Sequence, residues 1–145
     1  MANQSFDVII IGGGPAGYPA AIRASQLGLT ACVVERDKLG GVCVNIGCIP
    51  TKALLHSAAM ANSIRKEAKE LGIEVGEVKT DFGVAMRRSR KVAEQNSKGA
   101  EFLMKKNKVT VIKGTGVLAS ATTVKVGDDV LTAKKAIVLA TGSRT

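Results

Sequence analysis

Phe6-Asp7-Val8-Ile9-Ile10-Ile11-Gly12-Gly13-Gly14-Pro15-Ala16-Gly17 is the stretch on which the fold turns. Asp7 aside, its first half is a β-branched apolar run, the composition of a buried strand, and glycines end it. Gly12, Gly14 and Gly17 have the spacing G-x-G-x-x-G, and Pro15 suits the first position of a helix. A helix is predicted from about Pro15 to Leu27, closed by Gly28 at the C′ position. Thr30 to Glu35 reads as a second strand. Strand, glycine turn, helix and strand within about 30 residues form the βαβ unit of a parallel sheet. Pro19 fits this helix poorly, since in a true interior it would cost ~3 kcal/mol. The regular ladder must start late, with Pro19 among the first four N–H groups, which are unpaired anyway. A strained or irregular first turn is expected.

The glycines carry chemistry as well as shape. Gly12 allows the tight turn, and Gly14 lets the backbone approach a pyrophosphate. Gly17 lets helix and strand pack closely, with Ala21 continuing that small face. The helix N-terminus offers N–H groups and positive potential to an anion. Glu35, at the end of the second strand, can accept hydrogen bonds from both hydroxyls of an adenosine ribose. It would also repel a 2′-phosphate, which disfavours NADP. The pattern predicts dinucleotide binding and by itself does not separate FAD from NAD.

Further along, Lys38 to Ile49 reads as a glycine-rich loop. Pro50 opens a long helix to about Leu71, with Leu54, Leu55, Ala58, Ala61, Ile64, Ala68 and Leu71 forming one stripe expected to be buried. Asp81 is a candidate cap for a helix running to about Lys106, weakened at Gly99. Strand-like runs follow at Val109–Ile112, Val117–Ala119, Thr122–Val126 and Val130–Thr132, with Gly127-Asp128-Asp129 as a hairpin turn. Ala136 to Leu139 is a final apolar strand.

Composition bounds the rest. The chain has 145 residues, 46% hydrophobic and 23% charged, about one globular domain. Its 16 glycines are clustered rather than periodic, which excludes collagen-like and linker readings. Aromatics are only 3%, against single-strand nucleic-acid binding by stacking. No apolar run approaches the length that spans a bilayer, and the N-terminus has no charged n-region. A cytoplasmic protein without membrane attachment is the expectation. The net charge of +9 invites a nucleic-acid hypothesis. Most of it lies at 84–113, in Arg87, Arg88, Arg90, Lys91, Lys98, Lys105, Lys106, Lys108 and Lys113 against Glu94 and Glu101. Such interspersed charges around a helix read as a solvated face, and no nucleic-acid-binding signature accompanies them.

Cys43 and Cys48 form C-x₄-C before the long helix. As a purely stabilising disulfide, so short a loop would contribute only ~2 kcal/mol, and a cytosolic chain would be kept reduced. A zinc site needs two more ligands, and only Cys32, placed in the core, and the single histidine, His56, are on offer. A redox-active pair suits the setting, because a helix N-terminus lowers a thiol's pKa. Lys52, one turn on, is either a cation that stabilises a thiolate near an electron-rich ring or an ordinary exposed lysine. No metal site is expected.

The run Gly40-Gly41-Val42-Cys43-Val44-Asn45-Ile46-Gly47-Cys48-Ile49-Pro50-Thr51-Lys52-Ala53-Leu54-Leu55 resembles the redox-disulfide motif of the pyridine nucleotide-disulfide oxidoreductases. Its continuation through His56-Ser57 is similar to the class I dihydrolipoamide dehydrogenase branch, whereas the glutathione and mercuric reductases diverge after the second cysteine. The resemblance spans the whole chain, to Ala140-Thr141-Gly142-Ser143, which looks like the family's second FAD motif. It implies an α/β fold: a Rossmann-like FAD-binding βαβ unit with parallel sheet, a long helical excursion and a small antiparallel β-meander.

By the same resemblance Gly12, Gly14, Pro15, Ala16 and Gly17 would hold the FAD pyrophosphate and Glu35 the adenosine ribose, with Arg36 a further cofactor-binding residue. Gly40, Gly41 and Val42 would line the flavin approach. Cys43 would be the interchange thiol and Cys48 the charge-transfer thiol, with Lys52 near the flavin's reactive edge. Gly114 and Gly116 would lie beside the adenine, and Ala140, Thr141, Gly142 and Ser143 near the flavin pyrophosphate. The implied reaction passes two electrons from a dithiol through Cys43 and Cys48 to FAD and then to NAD. The implied partners are dihydrolipoamide on a lipoyl-bearing protein, a second copy in a homodimer, and a 2-oxo acid dehydrogenase complex.

The catalytic base is not found. His56 lies eight residues beyond Cys48, ~12 Å along a helix at 1.5 Å per residue, too far for direct proton transfer, and reads as structural. A second G-x-G-x-x-G is absent too. Residues 1–145 are therefore expected to be a truncated FAD-binding domain, lacking the NAD-binding and interface domains and unable to turn over alone. The competing readings are a non-catalytic FAD- or nucleotide-binding module and a glutathione- or mercuric-type disulfide reductase.

Overall fold

A computed structural model describes residues 3–143. In chain order the elements are β1 (Asn3–Ile11), α1 (Gly17–Gln26), β2 (Ala31–Glu35), α2 (Gly41–Asn45), α3 (Cys48–Lys66), α4 (Phe82–Lys106), β3 (Thr110–Lys113), β4 (Gly116–Ser120), β5 (Thr123–Val126) and β6 (Asp129–Leu139). The strands form one six-stranded sheet in the order β3-β2-β1-β6-β5-β4. β3, β2, β1 and β6 are parallel neighbours, while β6, β5 and β4 are antiparallel. This is the expected α/β architecture of a parallel βαβ sheet, a helical excursion and a meander.

Alternation along the strands sorts the core into two layers. Val8, Ile10, Ala31 and Val33 pack with Ala21 of α1 and with Ala100 and Met104 of α4. Ile9, Ile11, Cys32 and Val34 pack with Val124, Val126, Leu131 and Ala133 of the meander. Phe6 joins Ile9 on the meander side, against strict alternation. The reason is a bulge: the N–H groups of Asp7 and Val8 both donate to the Thr30 carbonyl, at 2.9 and 3.1 Å. The polar exception in the apolar run sits at that bulge. Asp7 Oδ2 accepts from Thr30 N and Thr30 Oγ1 at 2.8 and 2.7 Å.

Those bonds to Thr30, first the backbone and then the hydroxyl, with lesser help from Lys135 and Lys134, hold the Asp7 carboxyl below its ordinary pKa. A depressed folded pKa contributes stability that is complete above the ordinary carboxylate value of about 3.9 and is lost as pH falls through the folded value. Asp7→Asn should therefore flatten the acid limb of the melting-temperature profile below about pH 4. Melts from neutral to acid pH test this, and an acid limb as steep as before would contradict it.

The C-terminal end of α1 and both ends of α4 follow the sequence reading. α1 begins at Gly17, after a turn in which Gly17 N and Tyr18 N both donate to the Gly14 carbonyl. Pro19 thus falls in the first helical turn, where its missing donor costs little. Gly28 N donates to Ser25 O and Leu29 N to Ala24 O, closing α1 as a Schellman motif. Asp81 caps α4, accepting from Val84 N at 3.0 Å, and the helix runs through Gly99 unbroken to Lys106.

Four expectations are corrected. The segment 38–49 is not all loop, because Gly41–Asn45 forms a short helix. The long helix starts at Cys48 rather than Pro50, and its regular part ends at Lys66, with separate turns to Gly72. Its stripe is not buried: Ala68 is, but Leu54, Ala61 and Ile64 are half-buried and Leu55, Ala58 and Leu71 exposed. α3 packs chiefly on α4 and α2 rather than on the sheet, so its apolar face opens onto a groove beside Phe82 and Val84. Finally, Val130–Thr132 and Ala136–Leu139 are one strand, β6, which pairs with β5 at one end and with β1 along its length. No helix among the described residues is long and apolar enough to cross a membrane.

Candidate functional site

The parallel strands β1, β2, β3 and β6 all end on the same side, at Ile11, Glu35, Lys113 and Leu139. The chain leaves β1 for β2 on one side and returns as β6 on the other. The crevice beyond such a reversal is where open α/β sheets bind ligands. A cleft of about 360 Å³ lies there, lined by Gly12, Glu35, Arg36, Gly114, Gly116, Thr141, Gly142 and Ser143. The fold thus gathers residues singled out separately along the sequence. Ile11, Val34 and Thr115 complete the walls; they were overlooked because two apolar strand residues and a loop threonine carry no motif.

The glycine turn is shaped by contacts at its back. Gly12 has φ +108°, and a Cβ there would overlap the Ala140 carbonyl. A Cβ on Gly17 would overlap the Gly12 carbonyl, so helix and strand touch backbone to backbone. Gly14 differs: a Cβ there would meet only Gly41 Cα, at 3.9 Å. Its side faces open space, as a surface meant for a bulky anion would. Pro15 and Ala16 are exposed beside it.

Glu35 makes two hydrogen bonds that sequence reasoning missed. Its Oε2 accepts from Gly13 N at 2.7 Å and its Oε1 from Asp37 N at 2.8 Å. The carboxylate therefore braces the glycine turn, and each oxygen keeps acceptor capacity for a sugar hydroxyl.

The turn is joined directly to the cysteine segment. Gly40 N donates to Gly13 O at 2.8 Å, and Gly41 packs against Gly14. Two residues on, Cys43 lies within α2, and Cys48 is the first residue of α3. The two are joined as a disulfide with Cα atoms 4.6 Å apart. Cys43 is half-buried and Cys48 exposed; Val42 is exposed at the rim. Cys48 was expected just before the helix, and it is instead inside the first turn, where the dipole's positive end still favours a thiolate.

Lys52 and His56 are exposed on α3, one and about two turns beyond Cys48. His56 does not pack in the core as a structural histidine would. Cys32 is buried in β2, and burial pushes its thiol up to about 12. No metal-binding cluster occurs among the described residues.

Asn45, Arg88, Arg90 and Ser97 are further residues about the disulfide that sequence reasoning passed over. The basic segment is exposed as expected, but two of its arginines reach other helices. Arg90 donates to Asn45 O at 2.8 Å and Arg88 to Ala53 O at 3.1 Å. Nothing in a run of cations marks those two.

Known proteins are similar to this chain. The profile of the family described as "Pyridine nucleotide-disulphide oxidoreductase" matches residues 6–145. The dihydrolipoyl dehydrogenase of Mycobacterium tuberculosis (strain ATCC 25618 / H37Rv) is 52% identical over 145 residues, covering 97% of this chain and 31% of that protein. Leghemoglobin reductase of Vigna unguiculata is 46% identical over 142 residues, covering 94% and 27%. The chain thus spans about a third of the length of the curated relatives it matches. Among solved structures, the Cu(II) complex of the HOCl-induced flavoprotein disulfide reductase RclA from Escherichia coli superposes with a TM-score of 0.76 at 27% identity, over 95% of this chain and 28% of that one.

Proposed function

Because this chain belongs to the pyridine nucleotide-disulphide oxidoreductase family, we propose that it is the Rossmann-like FAD-binding domain, the N-terminal part, of a dihydrolipoamide dehydrogenase. The observation that carries the proposal is a disulfide, Cys43–Cys48, tied through Gly40 and Gly41 to a glycine turn opening on a nucleotide-sized cleft.

FAD fits the residues present. The open side of Gly14 and the start of α1, with Pro15, Ala16 and Gly17, would take the pyrophosphate. Glu35 and Arg36 would take the adenosine ribose, Gly114 and Gly116 the adenine, and Ala140, Thr141, Gly142 and Ser143 the flavin end of the pyrophosphate. Gly40, Gly41, Val42 and Lys52 would flank the ring. When bound, FAD supplies a two-electron acceptor that hands on to NAD.

The chain's own residues perform the sulfur chemistry. A thiolate of the dithiol substrate attacks Cys43 Sγ, the Cys43–Cys48 bond breaks, and Cys48 leaves as a thiolate. The second substrate thiol, losing its proton, attacks the substrate sulfur now bonded to Cys43. The substrate becomes a cyclic disulfide, Cys43 is released, and two electrons rest on the cysteine pair. Cys48 at the first turn of α3 is well placed to remain a thiolate. Its greater exposure in this chain accords with the sulfur that bound flavin would cover.

The proton acceptor, the NAD site and a homodimer contact are assigned to parts of the protein beyond these 145 residues. Its relatives being about three times as long supports this. A lipoyl-bearing partner within a 2-oxo acid dehydrogenase complex and a reducing cytoplasm, where a thiol pair can cycle, complete the proposal.

Visible absorption of the purified protein, before and after adding dihydrolipoamide, tests the reading. Flavin bands and dithiol-dependent reduction of Cys43 and Cys48 are expected. A protein that takes up no FAD, or a disulfide that dihydrolipoamide leaves oxidised, would refute it. Glu35→Gln removes a charge and leaves either Gly13 N or Asp37 N without its acceptor. A hydrogen bond to a charged group contributes about 1.5–3 kcal/mol. Flavin retention should therefore weaken roughly tenfold or more, measured as flavin released on dilution; retention equal to the unaltered protein would remove Glu35 from the site.

A further inference from the structure

The Cys43–Cys48 couple is carried by two adjoining pieces of chain, α2 and α3, which pack on each other and are both gripped by α4. Cys43 is on α2, five residues long, and so short a helix has little stability of its own. Cys48 is on α3. Between them Asn45 is tied on both its faces. Its Nδ2 donates to Leu39 O at 3.0 Å and to Gly41 O at 2.9 Å, and its carbonyl accepts from Arg90 Nη2 at 2.8 Å. The Leu39 carbonyl also accepts from the buried Ser97 hydroxyl at 2.9 Å. Arg88 Nη1 reaches the other carrier, donating to Ala53 O on α3 at 3.1 Å. One helix therefore grips the entry to α2, the end of α2 and the first turns of α3.

We propose that Arg90 is a positioning residue of the redox couple: by holding the Asn45 carbonyl, it keeps α2 seated against α3 in the dithiol state and so makes the pair harder to reduce. The inference rests on the redox reading of Cys43 and Cys48. The physical reason is effective concentration. Reduction by a dithiol exchanges one disulfide for another: the reductant closes into a cyclic disulfide, and Cys43 and Cys48 gain two electrons and two protons. The closer the two protein thiols are held afterwards, the more the reverse reaction is favoured. Releasing α2 at Asn45 lets Cys43 drift from Cys48 and lowers that advantage.

A pure charge effect predicts the opposite sign. A cation near the sulfurs stabilises thiolates, and its removal would make reduction harder. The two mechanisms therefore separate cleanly in one experiment.

The intact protein is equilibrated with graded ratios of reduced to oxidised dithiothreitol, quenched in acid, alkylated and read by peptide mass spectrometry at Cys43 and Cys48. This readout follows the sulfurs and not turnover. Arg90→Ala should reach half-reduction at a reduced-to-oxidised ratio about three- to tenfold lower than the unaltered protein, tenfold being about 30 mV for a two-electron couple. Arg90→Lys keeps the charge but not the planar reach, and should shift the same way. Lys91→Ala, one residue along and exposed, should not shift. Ser97→Ala, which loosens the other end of α2, should move with Arg90→Ala.

An unchanged ratio in Arg90→Ala, or a shift toward the disulfide, overturns the proposal. So does an Arg90→Lys protein that titrates like the unaltered one. A couple that fails to cycle in the unaltered protein overturns the redox reading and this inference together. A couple that cycles normally with Arg90→Ala unmoved overturns this inference alone.

Discussion

Gly14→Ala should leave the fold intact and empty the flavin site, whereas Gly17→Ala should destroy both. The contrast follows from what each added methyl group would meet. At Gly17 it would overlap the carbonyl oxygen of Gly12, a backbone atom that cannot rotate aside. Gly12 is itself pinned, donating from its N–H to Val34 O at 2.8 Å and lying against the Ala140 carbonyl. Relief would require α1 to lift off β1, exposing Ala21 and the Val8–Ile10 face it covers. Overpacking a tight core costs about 1–3 kcal/mol, and a rigid backbone clash belongs at or above the upper end.

At Gly14 the nearest atom is Gly41 Cα, in ordinary contact distance at 3.9 Å. A methyl group there costs the free protein little. It would occupy the surface proposed for the pyrophosphate, so bound flavin should fall by about two orders of magnitude or more, at 1.4 kcal/mol per tenfold. Flavin absorbance and a thermal melt on each variant decide the matter. A Gly14→Ala protein that keeps both its melting temperature and its flavin would refute the placement of the pyrophosphate.

Cys43→Ser and Cys48→Ser are each expected to abolish dithiol oxidation, by at least about 10³-fold, while flavin stays bound. Serine is nearly isosteric but cannot form the disulfide or serve as a soft nucleophile at neutral pH. Retention of flavin is expected because the ties between the cysteine segment and the glycine turn are backbone ties: Gly40 N to Gly13 O, and Gly41 against Gly14. Asn45 and Arg90 continue to hold α2 in place. Measuring reduction by dihydrolipoamide beside flavin content separates lost chemistry from lost structure. Substantial dihydrolipoamide oxidation in either variant would remove the cysteines from the reaction.

How far the sequence could be read depended on the range of the interaction. The βαβ unit was legible because strand periodicity, glycine spacing and helix caps act within a few residues. Gly28 and Asp81 end or begin helices by bonding their own neighbours. The short α2 was not legible, since five residues have no periodicity to detect and this helix is held by docking onto α3 and α4. The exposed stripe of α3 shows a related limit. Leu54 and Leu55 mark an apolar face, but a face does not say what it meets.

The sequence alone determined the chemistry on offer: a glycine turn suited to an anion, a carboxylate at a strand end, and two cysteines at a helix start. Tertiary structure decided how these are assembled. Arg90 meets the carbonyl of Asn45, 45 residues away in the chain, and Ser97 meets that of Leu39, 58 away. A backbone carbonyl leaves no trace in a sequence, and an arginine that grips one is indistinguishable there from an arginine in water. Glu35 bracing Gly13, and β6 running unbroken from the meander into the parallel sheet, have the same cause. Each depends on which strand lies beside which, and that is set by the packing of the whole core.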